Sequence, residues 1–134
     1  MEIFGLNLVG IVVATVIGMV LGALWYSPVL FGPQWMRCIG KTPETLGSTT
    51  VPMIGSVFAS LLSAIGVSLV FSLIGVDSLA MGVSVGLTLG LFIIFPALLS
   101  DNLFCGWGNQ LLLIQAGYRM LSVLLMSIAL VYLA

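Results

Sequence analysis

Apolar residues run almost unbroken through four stretches of the chain, 4–26, 51–74, 79–100 and 110–134, and polar residues gather between them. Asn7, Thr15 and several glycines punctuate the first run, and Pro52 falls in the first turn of the second, where a missing N–H costs little. At 1.5 Å per residue, each run is long enough to cross a hydrocarbon core of about 30 Å. Strict polar–apolar alternation is lacking, so barrel strands are excluded and helices remain the way to satisfy the backbone in lipid. The pattern predicts an all-α membrane protein in which residues 1–134 form a single domain of four transmembrane helices.

The connections differ in kind. Gly75-Val76-Asp77-Ser78 reads as a tight turn, with Asp77 or Ser78 capping the third helix and the second and third helices as antiparallel neighbours. Residues 101–110 read as a loop holding Gly106 and Gly108, with Asn109 as an N-cap. The segment 27–50 is the longest connection. Within it, Gly32 to Gly40 carries Pro near its start and Gly at its end, the mark of one short helix. Trp35, Met36 and Ile39 share a side, so this amphipathic piece is expected to lie in the headgroup layer. Thr42-Pro43-Glu44 reads as a further capped turn.

Small residues recur every four positions in three helices. Gly10, Ala14, Gly18 and Gly22 form one row, Ser56, Ser60, Ala64 and Ser68 a second, and Gly82, Gly86 and Gly90 a third. Such rows let helix backbones approach closely where lipid removes the usual hydrophobic drive. They leave open whether packing is within one chain or between chains.

Composition sharpens the membrane reading. Hydrophobic residues make up 61% of the chain and charged residues 5%, against about 25% charged in a soluble domain. The net charge of -1 offers no basic face for nucleic acid. The chain contains no His, which removes the commonest general base, metal ligand and haem ligand, and no cofactor is expected. Cys38 and Cys105 are too few for a disulfide framework and read as free thiols. Met1-Glu2 begins no basic leader, so the first helix is expected to be retained. Arg37 and Lys41 are the basic residues outside the apolar runs. The positive-inside rule then puts loops 27–50 and 101–110 in the cytoplasm and both termini outside, in a cell inner membrane.

The run Gly22-Ala23-Leu24-Trp25-Tyr26-Ser27-Pro28-Val29-Leu30-Phe31-Gly32, followed by Trp35-Met36, resembles the signature of the family called domain of unknown function 1761. Pro96 to Phe104 and Ala116-Gly117-Tyr118 are similar to that family's second half. The resemblance implies a four-helix bacterial membrane protein and no assigned activity. Members of the family are expected to carry His after that Gly-Tyr, where this chain has Arg119. Physically, Trp25, Tyr26, Pro28, Phe31 and Trp35 make an interfacial corner: amphipathic rings prefer the headgroup layer, and Pro28 ends the helix.

Arg119 is the costly residue. An Arg near the middle of a span costs about 2.5–3.5 kcal/mol on insertion scales. Gln115, Tyr118, Arg119, Ser122 and Met126 share one stripe at helical spacing, and Asp101 and Tyr26 are candidate neighbours. Three roles stay open: a clamp pairing Arg119 with Asp101, snorkelling to lipid phosphate, and an anion site in a cavity. Pro96 adds a kink to the third helix, and Asn7 reads as a hydrogen bond between helices. No convergent set of nucleophile and base is visible, so no catalytic or metal site is expected. The sequence favours a non-catalytic packing module, either a homo-oligomer or an accessory subunit bound to another membrane protein. A small transporter or channel with Arg119 on its pathway is the alternative.

Overall fold

The structure, a computed structural model, describes residues 2–3 and 6–133. Four helical segments are long and apolar enough to cross a membrane: Leu8–Trp25, Thr50–Ile74, Leu79–Cys105 and Asn109–Leu133. The first is α1. A short helix α2, Gly32–Cys38, follows it, and α3 is Thr50–Ile74. The third span comprises α4 (Leu79–Leu89), a π-helical turn (Gly90–Ile94) and α5 (Phe95–Cys105), and the fourth is α6, Asn109–Leu133. The fold is all-α apart from a two-residue antiparallel pairing of Glu2–Ile3 with Leu6–Asn7.

Several boundaries differ from the sequence reading. The first helix starts at Leu8, because Asn7 adopts an extended conformation and accepts a hydrogen bond from the Gly10 N–H at 3.1 Å; residues 4 and 5 of the expected run lie outside the described residues. The Asn7 amide also donates to the Leu133 carbonyl, joining the ends of α1 and α6. The third span continues to Cys105, so the 101–110 connection shrinks to Gly106–Gly108. Asn102 is the cause. It is buried, its side chain donates to the Gly108 carbonyl at 3.1 Å, and its own carbonyl accepts from the Gly106 N–H at 2.8 Å. Gly106, at φ 69°, supplies the left-handed residue that ends the helix. Asn109 thus opens α6 as a helical residue, and Ser78 rather than Asp77 caps α4 by accepting from the Met81 N–H.

The Pro96 kink takes a specific form. Pro96 has no N–H for the Phe92 carbonyl, and its ring would crowd that carbonyl in a regular helix. The turn just before it widens, with the Phe95 N–H bonded to the Gly90 carbonyl five residues back.

Interhelix packing centres on α6. Half of its apolar window is buried, against 22% for each other span. The most extensive interfaces are α4 with α6, α1 with α6 and α1 with α3. The small-residue rows supply all three. A Cβ on Gly10 would lie 2.9 Å from Leu130, one on Gly18 2.7 Å from Met126, and one on Gly22 3.0 Å from the Tyr118 hydroxyl. Gly82 faces Val131, Gly86 faces Ser127, and Gly90 faces Met120. Ser60 meets Gly18 and Met19 across the α1–α3 contact, and Ala14 and Ala64 are fully buried.

The expected neighbourhood of the second and third helices is only partly realised. Near their tight turn Phe71 approaches Gly82, with 3.4 Å from its ring to the position of an added Cβ. Farther from the turn, α3 leans on α1 while α4 leans on α6, so the two diverge and leave a wedge between them.

Two glycine substitutions separate close packing from open surface. Gly86→Ala would put its Cβ 3.2 Å from the Leu124 Cα, a backbone atom, and 2.8 Å from the Ser127 hydroxyl. Thermal unfolding in detergent micelles is expected to show a loss of about 1–3 kcal/mol. Gly66→Ala meets nothing within 4 Å and is expected to gain up to about 1 kcal/mol through helix propensity.

Candidate functional site

Two of the three resemblance motifs, residues 22–36 and 116–118, converge on one unit. After Trp25 the chain turns sharply: the Phe31 N–H bonds the Trp25 carbonyl at 2.9 Å, and the Ser27 carbonyl accepts from Leu30 and Gly32. Gly32 is required there, since a Cβ would lie 2.6 Å from the Tyr26 carbonyl oxygen and 2.8 Å from that of Ser27. The corner then locks onto α6 by a reciprocal exchange. The Trp25 ring fills the space that a Gly117 side chain would take, and the Tyr118 ring fills the space beside Gly22. Each ring also bonds the opposite backbone, the Trp25 indole N–H to the Ile114 carbonyl at 2.8 Å and the Tyr118 hydroxyl to the Gly18 carbonyl at 2.8 Å.

An aromatic chain leads from this lock to α2. Tyr118 meets Tyr26 edge-on at 5.6 Å, Tyr26 meets Trp35 edge-on at 5.3 Å, and Trp25 packs against Phe31 at 4.8 Å. Pro28 is exposed on the corner. Burial raises the pKa of the Tyr26 phenol, at the C-cap beyond α1, while the charge of Arg119 opposes the rise.

Arg119 stands at the edge of this cluster, its guanidinium 5.0 Å from the centroid of the Tyr118 ring. On its other side is the wedge between α3 and the third span, a cavity of about 340 Å³ floored by α6. Arg119, Ser60, Ser63 and Ser122 supply its polar groups, and Ile93, Leu98 and Met126 supply apolar wall. Among the described residues no carboxylate lies within 4.0 Å of the Arg119 guanidinium. Asp101 is exposed and does not line the cavity, and neither does the half-buried Gln115. The structure therefore gathers Arg119, Tyr118 and Tyr26 and leaves Asp101 and Gln115 apart from them.

Ser63 was not legible as a site residue. It lies three positions past Ser60, off the small-residue row, and its hydroxyl donates to the Ala59 carbonyl at 3.0 Å. Ser60 was legible only as packing, yet it also faces the cavity. No group of three potential metal ligands occurs among the described residues.

The four apolar spans define a multi-pass membrane protein, built on a corner-and-lock that joins the first and last of them. The family model described as "Protein of unknown function (DUF1761)" matches residues 9–131, and the chain belongs to that family. No curated protein and no solved structure matches it.

A double-mutant cycle tests the separation of Arg119 from Asp101. Stability changes for Arg119→Leu and Asp101→Asn are expected to add to within about 0.5 kcal/mol in the double variant. Coupling beyond 1 kcal/mol on the same unfolding curves would show that the two side chains pair.

Proposed function

We propose that this chain is a non-catalytic membrane protein that holds a small anionic group at Arg119, in the groove between α3 and the third span. One observation carries this reading. The only basic residue within the four spans borders a cavity and has no carboxylate beside it among the described residues. Arg119 is exposed at the rim of the groove, and its planar fork suits phosphate or carboxylate. Ser60, Ser63 and Ser122 line the same cavity. The groove's hydroxyls have no His or carboxylate to activate them, which supports binding rather than covalent chemistry. A role in carrying the anion across the membrane is compatible with the opening of the wedge.

The alternative, a homo-oligomer or accessory subunit docked through its small-residue rows, has less support. The rows of α1 and α4 are occupied by side chains of α6. Docking would have to use the larger apolar side chains that remain exposed, such as Val57, Phe58 and Phe92.

For the membrane itself we propose an inner membrane, with α2 and the Gly106–Gly108 turn on the cytoplasmic side, on the strength of Arg37 and Lys41. Cys38 and Cys105 allow a direct test, because they are the two thiols of the chain. A membrane-impermeant maleimide is expected to spare both in intact cells and to label Cys105 after permeabilisation. Labelling in intact cells would invert the orientation.

Anion binding can be followed as a rise in Tm of the purified protein with inorganic phosphate, sulfate or acetate. At least one is expected to raise Tm by several degrees at saturating concentration, and Arg119→Gln is expected to abolish the rise. Equal behaviour of wild type and variant would overturn the reading.

A further inference from the structure

Arg119 and Asp101 are the only charged residues within the four spans, and the structure leaves them apart. Arg119 is exposed near the middle of its span, ten residues past Asn109 and fourteen before Leu133. A cation facing lipid at that depth is costly unless an anion meets it there. Among the described residues no carboxylate of this chain lies within 4.0 Å of it. A second copy does not supply one at the same depth. Asp101 is four residues from the end of its span at Cys105, and so stands about 9 Å nearer the membrane surface than Arg119.

The groove beside Arg119 extends well past its charge. A second cavity of about 250 Å³ continues it toward the turn at residues 75–78, walled by Gly66, Val67 and Val70 on one side and Leu89 on the other. From Ser60 to Val70 is ten residues of helix, about 15 Å. Ile93 and Ala97, on the third span, are exposed at its lip, so it opens sideways to lipid. Toward the Trp25 side the flanking stretches of both walls stay exposed, residues 51–55 on α3 and 103–105 on α5. A small ion at Arg119 leaves this apolar length uncovered, whereas a helix laid along the groove covers it.

We infer that the groove seats one membrane-spanning helix of another protein, whose Asp or Glu at mid-depth pairs with Arg119. The inference rests on the anion-binding reading of Arg119 and names the bearer of the anion. Charge complementarity selects the partner. A lone carboxylate within a span carries an insertion cost as Arg119 does, and pairing through the guanidinium fork relieves both. Spanning the membrane is what brings such a carboxylate to the depth of Arg119.

The probe is a synthetic transmembrane peptide of about 22 Leu and Ala residues with one central Glu, and its twin with Gln in that place. Energy transfer from the native Trp25, Trp35 and Trp107 to a dansyl group on the peptide reports binding in phosphatidylcholine vesicles. The measurement is made at about pH 8, where a carboxyl beside Arg119 is ionised. Disulfide formation with a cysteine next to the peptide's central residue reports the seat. The protein's cysteine is placed either at Ala97→Cys on the groove wall or at Val16→Cys on the exposed face of α1. The native Cys38 and Cys105 are the last residues of their helices, away from mid-span.

The wild type is expected to bind the Glu peptide about tenfold more tightly than the Gln peptide, and Arg119→Gln to bind the two alike. Ala97→Cys is expected to cross-link to the Glu peptide and Val16→Cys to remain free. The cross-linking keeps Arg119 in place and does not depend on the folding of the Arg119→Gln variant. If the wild type binds both peptides equally, or if the Glu peptide cross-links at Val16→Cys instead, the helix assignment is overturned and the anion reading stands on its own Tm test. Cross-linking of Ala97→Cys to a second copy of the chain, undiminished by the Glu peptide, would also overturn the assignment. If Arg119→Gln keeps both the Glu preference and the anion-induced rise in Tm, both readings are overturned.

Discussion

Side chains of one helix in this protein seat directly on the bare glycine backbone of its neighbours, and the rest of the structure depends on that contact. In lipid, helices gain no hydrophobic drive by associating, so van der Waals contact and backbone-directed hydrogen bonds must hold them. The glycines of α1 and α4 expose bare backbone to α6, and Leu130, Met126, Val131 and Ser127 fill the space. Because α1 and α4 both occupy α6, little of it is left for α3, which packs on α1 instead. The wedge between α3 and the third span follows from this allocation of contact surface.

The corner after α1 uses the same principle at the membrane boundary. Gly22 and Gly117 each make room for an aromatic ring of the other helix, and both rings donate to carbonyls already within a helix. Such bonds are worth about 0.5–1.5 kcal/mol each, with the aromatic packing added. The lock fixes where α6 enters the membrane and so fixes the depth of Arg119. A residue two positions past Gly117 is thereby carried to the rim of the wedge.

Much of the fold was legible in the sequence because its cause is local. Span length, the Pro33 start of α2 and the three rows follow from apolar run length and spacing. What escaped was decided by contacts distant along the chain. The start at Leu8 depends on a side-chain cap at Asn7, and the extension to Cys105 on a buried Asn102 bonded across the turn. Arg119 stood out by its charge, but its relation to Asp101 could not be read from spacing. The two lie on different helices, and only the packing decides that Arg119 borders the groove beside Ser60, Ser63 and Ser122. The reciprocal fit of Gly22 with Tyr118 and Gly117 with Trp25 was hidden for the same reason: its motifs lie far apart in the chain.

The central claim is that α3 and the third span stand apart around a site centred on Arg119. An experimental density map of the protein in a phospholipid nanodisc tests it most directly. The account predicts an open wedge holding a compact anion density against the Arg119 guanidinium. A map with α3 closed against α5 and Arg119 bonded to Asp101 would contradict it.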